Sequence, residues 1–220
     1  MHKLITTLAT LGFLGAAPQI YAQSQEVFRL KAKAISSNSN FKSNSVQMQG
    51  AGGTRVIENS DNKANAMGYG LDLDFAIGEY GHLGAEVNYI DYVNDSEKVS
   101  YTDLSPAVYG AVDVYKDQNY AIFAKVGVSY HDLDLKDTKT GGLTVSYEDL
   151  DLWNYDAAVG LNSALTKTVN LGLEYKYTGS FVSDGVDLTY NGFGLAPTPE
   201  RLKDIKLMKN EVTASIGVLL

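Results

Sequence analysis

A chain of 220 residues with 45% hydrophobic and 20% charged content is long enough for one or two folded domains. Its formal charge of −8 argues against a nucleic-acid binder, which needs a basic surface to meet phosphate. The absence of cysteine excludes disulfides, zinc–thiolate sites, iron–sulfur clusters and cysteine nucleophiles, while 21 glycines and 15 tyrosines against four prolines favour strands over disorder.

The opening stretch "MHKLITTLATLGFLGAAPQIYA" sets Lys3 ahead of an apolar segment from Leu4 to Ala17 and a small residue at Ala22. That order describes a secretory signal peptide over residues 1–22, with cleavage between Ala22 and Gln23. The apolar part is shorter than the ~20 residues of a spanning helix, and no later segment approaches that length. Residues 23–220 are then one domain.

From Phe28 onward a two-residue alternation returns eight times. The first run sets Phe28, Leu30, Ala32 and Ala34 against Arg29, Lys31 and Lys33. The second sets Met67, Tyr69, Leu71, Leu73 and Phe75 against Gly68, Gly70, Asp72 and Asp74; the third, Leu83, Ala85, Val87 and Tyr89 against Gly84, Glu86 and Asn88. A less regular fourth run has Val108, Val112 and Val114 against Tyr109, Ala111 and Asp113. In the fifth, Tyr120, Ile122, Ala124, Val126, Val128 and Tyr130 alternate with Phe123, Lys125, Gly127 and Ser129. The sixth alternates Trp153, Tyr155, Ala157, Val159 and Leu161 with Asn154, Asp156, Ala158 and Gly160. The seventh pairs Val169, Leu171, Leu173, Tyr175 and Tyr177 with Asn170, Gly172, Glu174 and Lys176. The eighth ends the chain with Val212, Ala214, Ile216, Val218 and Leu220 against Glu211, Thr213, Ser215 and Gly217. Each run has about the 9–11 residues of a tilted membrane strand.

Short connections at 78–81, 116–119 and 163–168 alternate with long ones at 36–65, 93–105, 131–149 and 178–207. The pattern predicts an all-β fold: an eight-stranded, antiparallel, up-and-down transmembrane β-barrel with short periplasmic turns and four long extracellular loops. A soluble sandwich would alternate too, so the aromatics decide. Phe28, Phe75 and Tyr120 fall at the lower end; Tyr69, Tyr89, Tyr130, Trp153, Tyr155, Tyr175 and Tyr177 fall at the upper end. Two girdles around an aliphatic band suit two membrane interfaces, and a soluble core has no reason to arrange them so. The other face gathers Arg29, Lys31, Lys33, Asp72, Asp74, Glu86, Asp113, Lys125, Asp156, Glu174, Lys176 and Glu211. An eight-stranded lumen is only wide enough for side chains, so these groups predict an ion-paired plug; an ion path is the alternative.

The chain resembles the small eight-stranded outer-membrane barrels of the OmpA transmembrane-domain and OmpX/Ail type. "YAIFAKVGVSYHDL" (120–133) is similar to the family's fifth strand and "NLGLEYKYTGS" (170–180) to its seventh, and the likeness covers essentially the whole mature chain. The resemblance implies a Gram-negative outer-membrane location, contact with outer-membrane lipids and lipopolysaccharide, and assembly by the barrel assembly machinery. It also implies no cofactor and a non-enzymatic role, in envelope integrity or in adhesion to a host or surface ligand through the loops. A narrow passive channel and a lipid A-modifying enzyme are the alternatives on this scaffold. The ending "SIGVLL" departs from the family, whose members close on an aromatic that the assembly machinery reads; Leu220 stands there instead.

Of the remaining chemistry, His82 is expected at the periplasmic end and His131 just above the fifth strand. With Asp132, Asp134 and nearby hydroxyls, His131 suggests a Ser–His–acid arrangement, but a solvated rim histidine is the expectation. The acidic stretches "HDLDLKD" (131–137) and "YEDLD" (147–151) read as solvated loop charge rather than a calcium site. "GAGG" (50–53) and "GG" (141–142) read as flexible loop glycines, and "APTPERLKDIK" (196–206) as one short helical turn.

Overall fold

Side chains of period two need a different medium on each face of a sheet, and closing the sheet on itself supplies both. The computed structural model describes residues 28–42, 46–50, 53–57, 62–92, 100–117, 119–140, 143–183, 186–192, 195–202 and 205–220. The signal peptide assigned to residues 1–22 lies outside them.

In chain order the strands are β1 (Phe28–Lys42), β2 (Val46–Gly50), β3 (Gly53–Ile57), β4 (Asn62–Ile77) and β5 (Gly81–Tyr92). There follow β6 (Tyr101–Lys116), β7 (Tyr120–Leu135), β8 (Thr138–Thr140), β9 (Leu143–Tyr147) and β10 (Leu150–Ala164). The last are β11 (Val169–Ser183), β12 (Val186–Gly192), β13 (Leu195–Leu202) and β14 (Lys206–Leu219). Eight of them close a barrel in the order β1-β14-β11-β10-β7-β6-β5-β4, every pair antiparallel. The β2–β3 hairpin and a sheet of order β13-β12-β9-β8 occupy the long connections.

Pairing carries Arg29 to Asp74, then through Gly84, Tyr109, Gly127, Asp156, Thr178 and Lys209 back to Ser39, ten positions further along β1. That stagger tilts the strands and sets the lumen width. The irregular fourth run has two causes. A register shift falls between Asp113 and Tyr115, and Pro106, which has no N–H, sits where the β6–β7 ladder lapses between Leu104 and Ala107.

At the short-turn end Gly78 takes the left-handed conformation, φ 70°, that closes the β4–β5 turn. The Asp117 carboxylate accepts the N–H groups of Asn119 (2.7 Å) and Tyr120 (3.0 Å), which holds its pKa below the ordinary range. Thr166 Oγ1 accepts those of Thr168 and Val169 in the same manner.

The outer face is apolar: Leu71, Val126, Val159, Leu173 and Ile216 are all exposed, Val126 by 67%. A continuous belt of this kind needs lipid rather than water. Tyr69, Trp153, Tyr155 and Tyr175 stand exposed at its upper edge, with Tyr69 on Tyr89 (5.4 Å) and Tyr130 on Trp153 (5.3 Å). Tyr177 lies beside Tyr155 there. At the lower edge Tyr120 stacks on Tyr115. Phe75 differs from a lipid-facing girdle residue: it is covered, packed edge-on against Phe28 at 4.8 Å.

The strands run well beyond the runs visible in the sequence. Most of the described part of 36–65, 93–105, 131–149 and 178–207 is strand rather than loop, including Asp132 and Asp134 on β7. The reason is an exchange of chemistry between the two faces. Above the girdle the inward residues turn apolar: Ile35, Ile90, Leu133, Leu150, Leu152 and Leu207 are buried beside Tyr92 and Tyr101, which stack at 4.5 Å. Outward positions there become Ser36, Asn38, Asp132, Asp134 and Asp151. The upper barrel is therefore built like a soluble one; its alternation continues directly along β7 and β10, while the β10–β11 pair shifts register between Trp153 and Asn154. The described part of the helical turn expected over 196–206 also differs: Pro197 and Pro199 lie on β13 (Leu195–Leu202). β13 is an edge of its sheet, where a missing N–H costs no ladder bond.

Trp153, the single tryptophan, reports the upper interface. In vesicles, its fluorescence should be quenched strongly by lipids brominated near the headgroup and weakly by lipids brominated near the chain terminus. The reverse order would place the membrane band elsewhere on the barrel.

Candidate functional site: the lumen

The alternate, polar positions of the barrel strands all point into one narrow space, so their charges must answer one another there. Glu86 on β5 is the centre. Its carboxylate accepts Lys125 Nζ at 2.6 Å, Lys33 Nζ at 2.8 Å, Lys176 Nζ at 2.9 Å and Asn88 Nδ2 at 3.1 Å. Lys125 also donates to Glu174 at 3.2 Å and lies 4.0 Å from the centre of the Tyr109 ring. The Tyr109 hydroxyl donates to Asp72 at 2.5 Å, and its ring fills the space left by Gly84, where a Cβ would collide with it.

Two arms leave this centre. Toward the short turns, Lys31 joins Asp74 (3.2 Å) and Asp72 (3.7 Å), and Arg29 joins Asp74 at 3.6 Å. His82 bridges Asp74 and Asp113 through its two ring nitrogens, each at 3.1 Å. Toward the long hairpins, Lys176 joins Glu211 at 2.8 Å, and Lys209 joins both Glu211 (3.0 Å) and Asp103 (2.7 Å). Asp103 meets His131 Nδ1 at 2.8 Å, and His131 Nε2 meets the Ser129 hydroxyl at 3.0 Å.

All twelve interior residues named from the sequence lie in the lumen; Arg29 is half-buried and the other eleven are buried. Asp156, set apart from the Glu86 cluster, accepts the Thr178 hydroxyl at 2.6 Å. The sequence reading missed Asp103, Tyr109, Lys209 and both histidines as network members. Parity could have found them: Lys209 shares a face with Glu211, and Asp103 and Tyr109 share one with Asp113. His131 is not a solvated rim residue. It is buried within β7, and its acid is Asp103, because Asp132 and Asp134 stand on the opposite face.

Ser129, His131 and Asp103 thus have the contact order of a nucleophile, base and orienting acid. They are enclosed, with the Ser129 residue 2% exposed. The apolar layer of Leu133, Leu152 and Tyr92 lies above them and the Lys125–Glu86 pair below. At the short-turn end a small recess lined by Arg29, Lys31, His82, Asp113 and Phe123 opens into the lumen and reaches as far as Lys125 and Glu174. Among the described residues no group of His, Asp or Glu is arranged to hold a metal ion.

The family described as "Outer membrane protein beta-barrel domain" matches residues 6–196. Among solved structures, the chain is similar to Neisserial surface protein A, at 15% identity and a TM-score of 0.53, over 88% of this chain and 97% of that one. It is also similar to the outer membrane protease OmpT from Escherichia coli, at 9% identity and a TM-score of 0.50, over 91% and 99%. A third likeness is to the outer membrane protein AlkL in DMPC lipid bilayers, at 14% identity and a TM-score of 0.50, over 91% and 94%. At such identities the likeness is one of fold. A search of curated protein sequences finds no match.

Removing a single partner from a buried ion cluster leaves the others uncompensated. Glu86→Ala strips the carboxylate from three lysines, and should lower the unfolding free energy by about 3–5 kcal/mol, read from the urea midpoint of the refolded barrel. A loss below about 1 kcal/mol would mean that water replaces the carboxylate and that the cluster is not sealed.

Proposed function

The chain belongs to the outer membrane protein beta-barrel domain family and resides in the outer membrane, and from that premise we propose that it is a closed, non-enzymatic barrel. Its role is to secure the envelope and to present β-structured loops at the cell surface. One observation carries this reading: the lumen is closed twice, by the Glu86 ion cluster and by the apolar layer above it. A water column would have to break buried ion pairs and then wet Leu133, Leu152 and Leu207. The narrow channel is the second reading, supported by the recess at the short-turn end; the cluster at its head favours closure.

Enclosure of Ser129 supports a structural role for its contact with His131. The partners that suit such a barrel are outer-membrane lipids, lipopolysaccharide and a surface ligand at the hairpins. The β8–β9 and β12–β13 hairpins join one sheet, a firmer platform for a ligand than separate coils.

Planar-bilayer recording tests the closure. The purified, refolded protein should give no unitary conductance, and double substitution of Glu86→Ala and Lys125→Ala should at most raise leak. Reproducible single-channel steps from the unsubstituted protein would favour the channel instead.

A further inference from the structure

Near the top of the barrel two neighbouring strands part. The β11–β14 ladder runs from Val169 opposite Val218 up to Gly179 opposite Met208, and among the described residues it ends there. β14 goes on, paired with β1 as far as Lys206 opposite Lys42, while β11 goes on, paired with β10 as far as Ser183 opposite Leu152. One side chain spans the split. The Ser180 hydroxyl donates to the Leu207 carbonyl at 3.1 Å and accepts the Leu207 N–H at 2.9 Å, standing in for two ladder bonds. Unlike a ladder, that contact is undone by one rotation about χ1. The wall beside the split bends easily at two further places. The β6–β7 ladder lapses at Pro106, and β10 and β11 shift register between Trp153 and Asn154, where Phe181 is the extra residue. The panel so bounded hangs Leu133, Leu135, Leu150 and Leu152 over the lumen. Above it β9 pairs with β12, which ties the hairpin between β7 and β10 to the one that follows β11.

We propose that the upper ends of β7, β10 and β11 form a lid that parts from β14 at the Ser180 latch and opens the upper lumen to the cell exterior. Two opposing terms set its balance. Burial of the four leucines beside Ile35, Tyr92 and Leu207 holds the lid shut. The polar groups beneath it favour opening: neither amide atom of Asn154 nor the Ser105 hydroxyl has a hydrogen-bond partner, although the two residues are 0% and 2% exposed. A buried polar atom without a partner costs free energy that contact with water restores. Opening of this kind is local and costs far less than unfolding the barrel. Lys176, which reaches Glu86, lies below Gly179 within the intact β11–β14 ladder, so the Glu86 cluster stays whole when the lid lifts. Only the upper closure is removed, and no passage for ions forms. The lid goes beyond the closed-barrel reading: it makes the upper lumen, with Asp103, Lys209 and His131 at its floor, a compartment entered from outside alone.

The chain has no cysteine, so an introduced thiol reports its own position. Ser105→Cys is the reporter, close in size to serine and replacing a hydroxyl that has no partner. The full refolded chain in phosphatidylcholine vesicles, its fold checked by gel mobility, is treated with a small cationic methanethiosulfonate, and labelling is timed by intact mass. The Ser105→Cys thiol should react slowly, and adding Ser180→Ala should speed it about fivefold, the worth of one net hydrogen bond. Ser180→Thr keeps the hydroxyl and should leave the rate near that of the reporter alone. Thr213→Cys, buried opposite Glu174 where the ladder is intact, should stay unlabelled with serine or alanine at position 180. An unchanged rate in Ser180→Ala, equal acceleration by Ser180→Thr, no labelling of Ser105→Cys in either background, or equal labelling of Thr213→Cys would each overturn the lid. Where Ser105→Cys fails to assemble, Ser129→Cys, equally enclosed on β7, takes its place with the same outcomes.

Discussion

Three ammonium groups from β1, β7 and β11 converge on one carboxylate from β5, and the rest of the interior is arranged around that meeting. Lys33, Lys125 and Lys176 sit on strands that are not neighbours of one another, so Glu86 ties together parts of the wall that the ladders do not join. Buried ion pairs are weak sources of net stability, because desolvation offsets most of their attraction. Their value here is in register: slipping any of these strands by one residue would turn its lysine out to lipid and leave the carboxylate short of a partner. The same cluster is what the proposed closure of the lumen rests on.

The barrel uses one backbone rule with two chemistries. Within the membrane, apolar side chains face out and charges face in; above it, Leu133, Leu150 and Leu152 face in while Asp132, Asp134 and Asp151 face out. No bulge or insertion marks the exchange on β7, where Tyr130 and His131 are followed directly by Asp132 and Leu133. Medium, rather than backbone geometry, selects which face is apolar.

That exchange explains what was legible in the sequence and what was not. The eight membrane runs, their order and the short turns were all visible, because an apolar outer face repeats at a period of two. The strand extensions were not, because the same alternation with reversed polarity reads as polar loop. Lys209 and Asp103 fell within those extensions and were lost with them, as was the strand position of His131. Tyr109 was hidden differently: an aromatic on the polar face has no obvious purpose until Gly84 is found beneath its ring and Asp72 at its hydroxyl. For β13, two prolines suggested a helix start, and only the edge position in a sheet makes them compatible with a strand.

The polar outer ends of β7 and β10 bear on biogenesis. A barrel entering from the periplasmic side must move Asp132, Asp134 and Asp151 through the hydrocarbon before they reach water on the far side. Lipid-facing charge near the midplane costs up to about 2–4 kcal/mol for each basic residue and less for each acidic one, so the three carboxylates together raise a translocation barrier. Once across, that barrier works in reverse and holds the barrel at its depth. The aspartates act as a one-way catch.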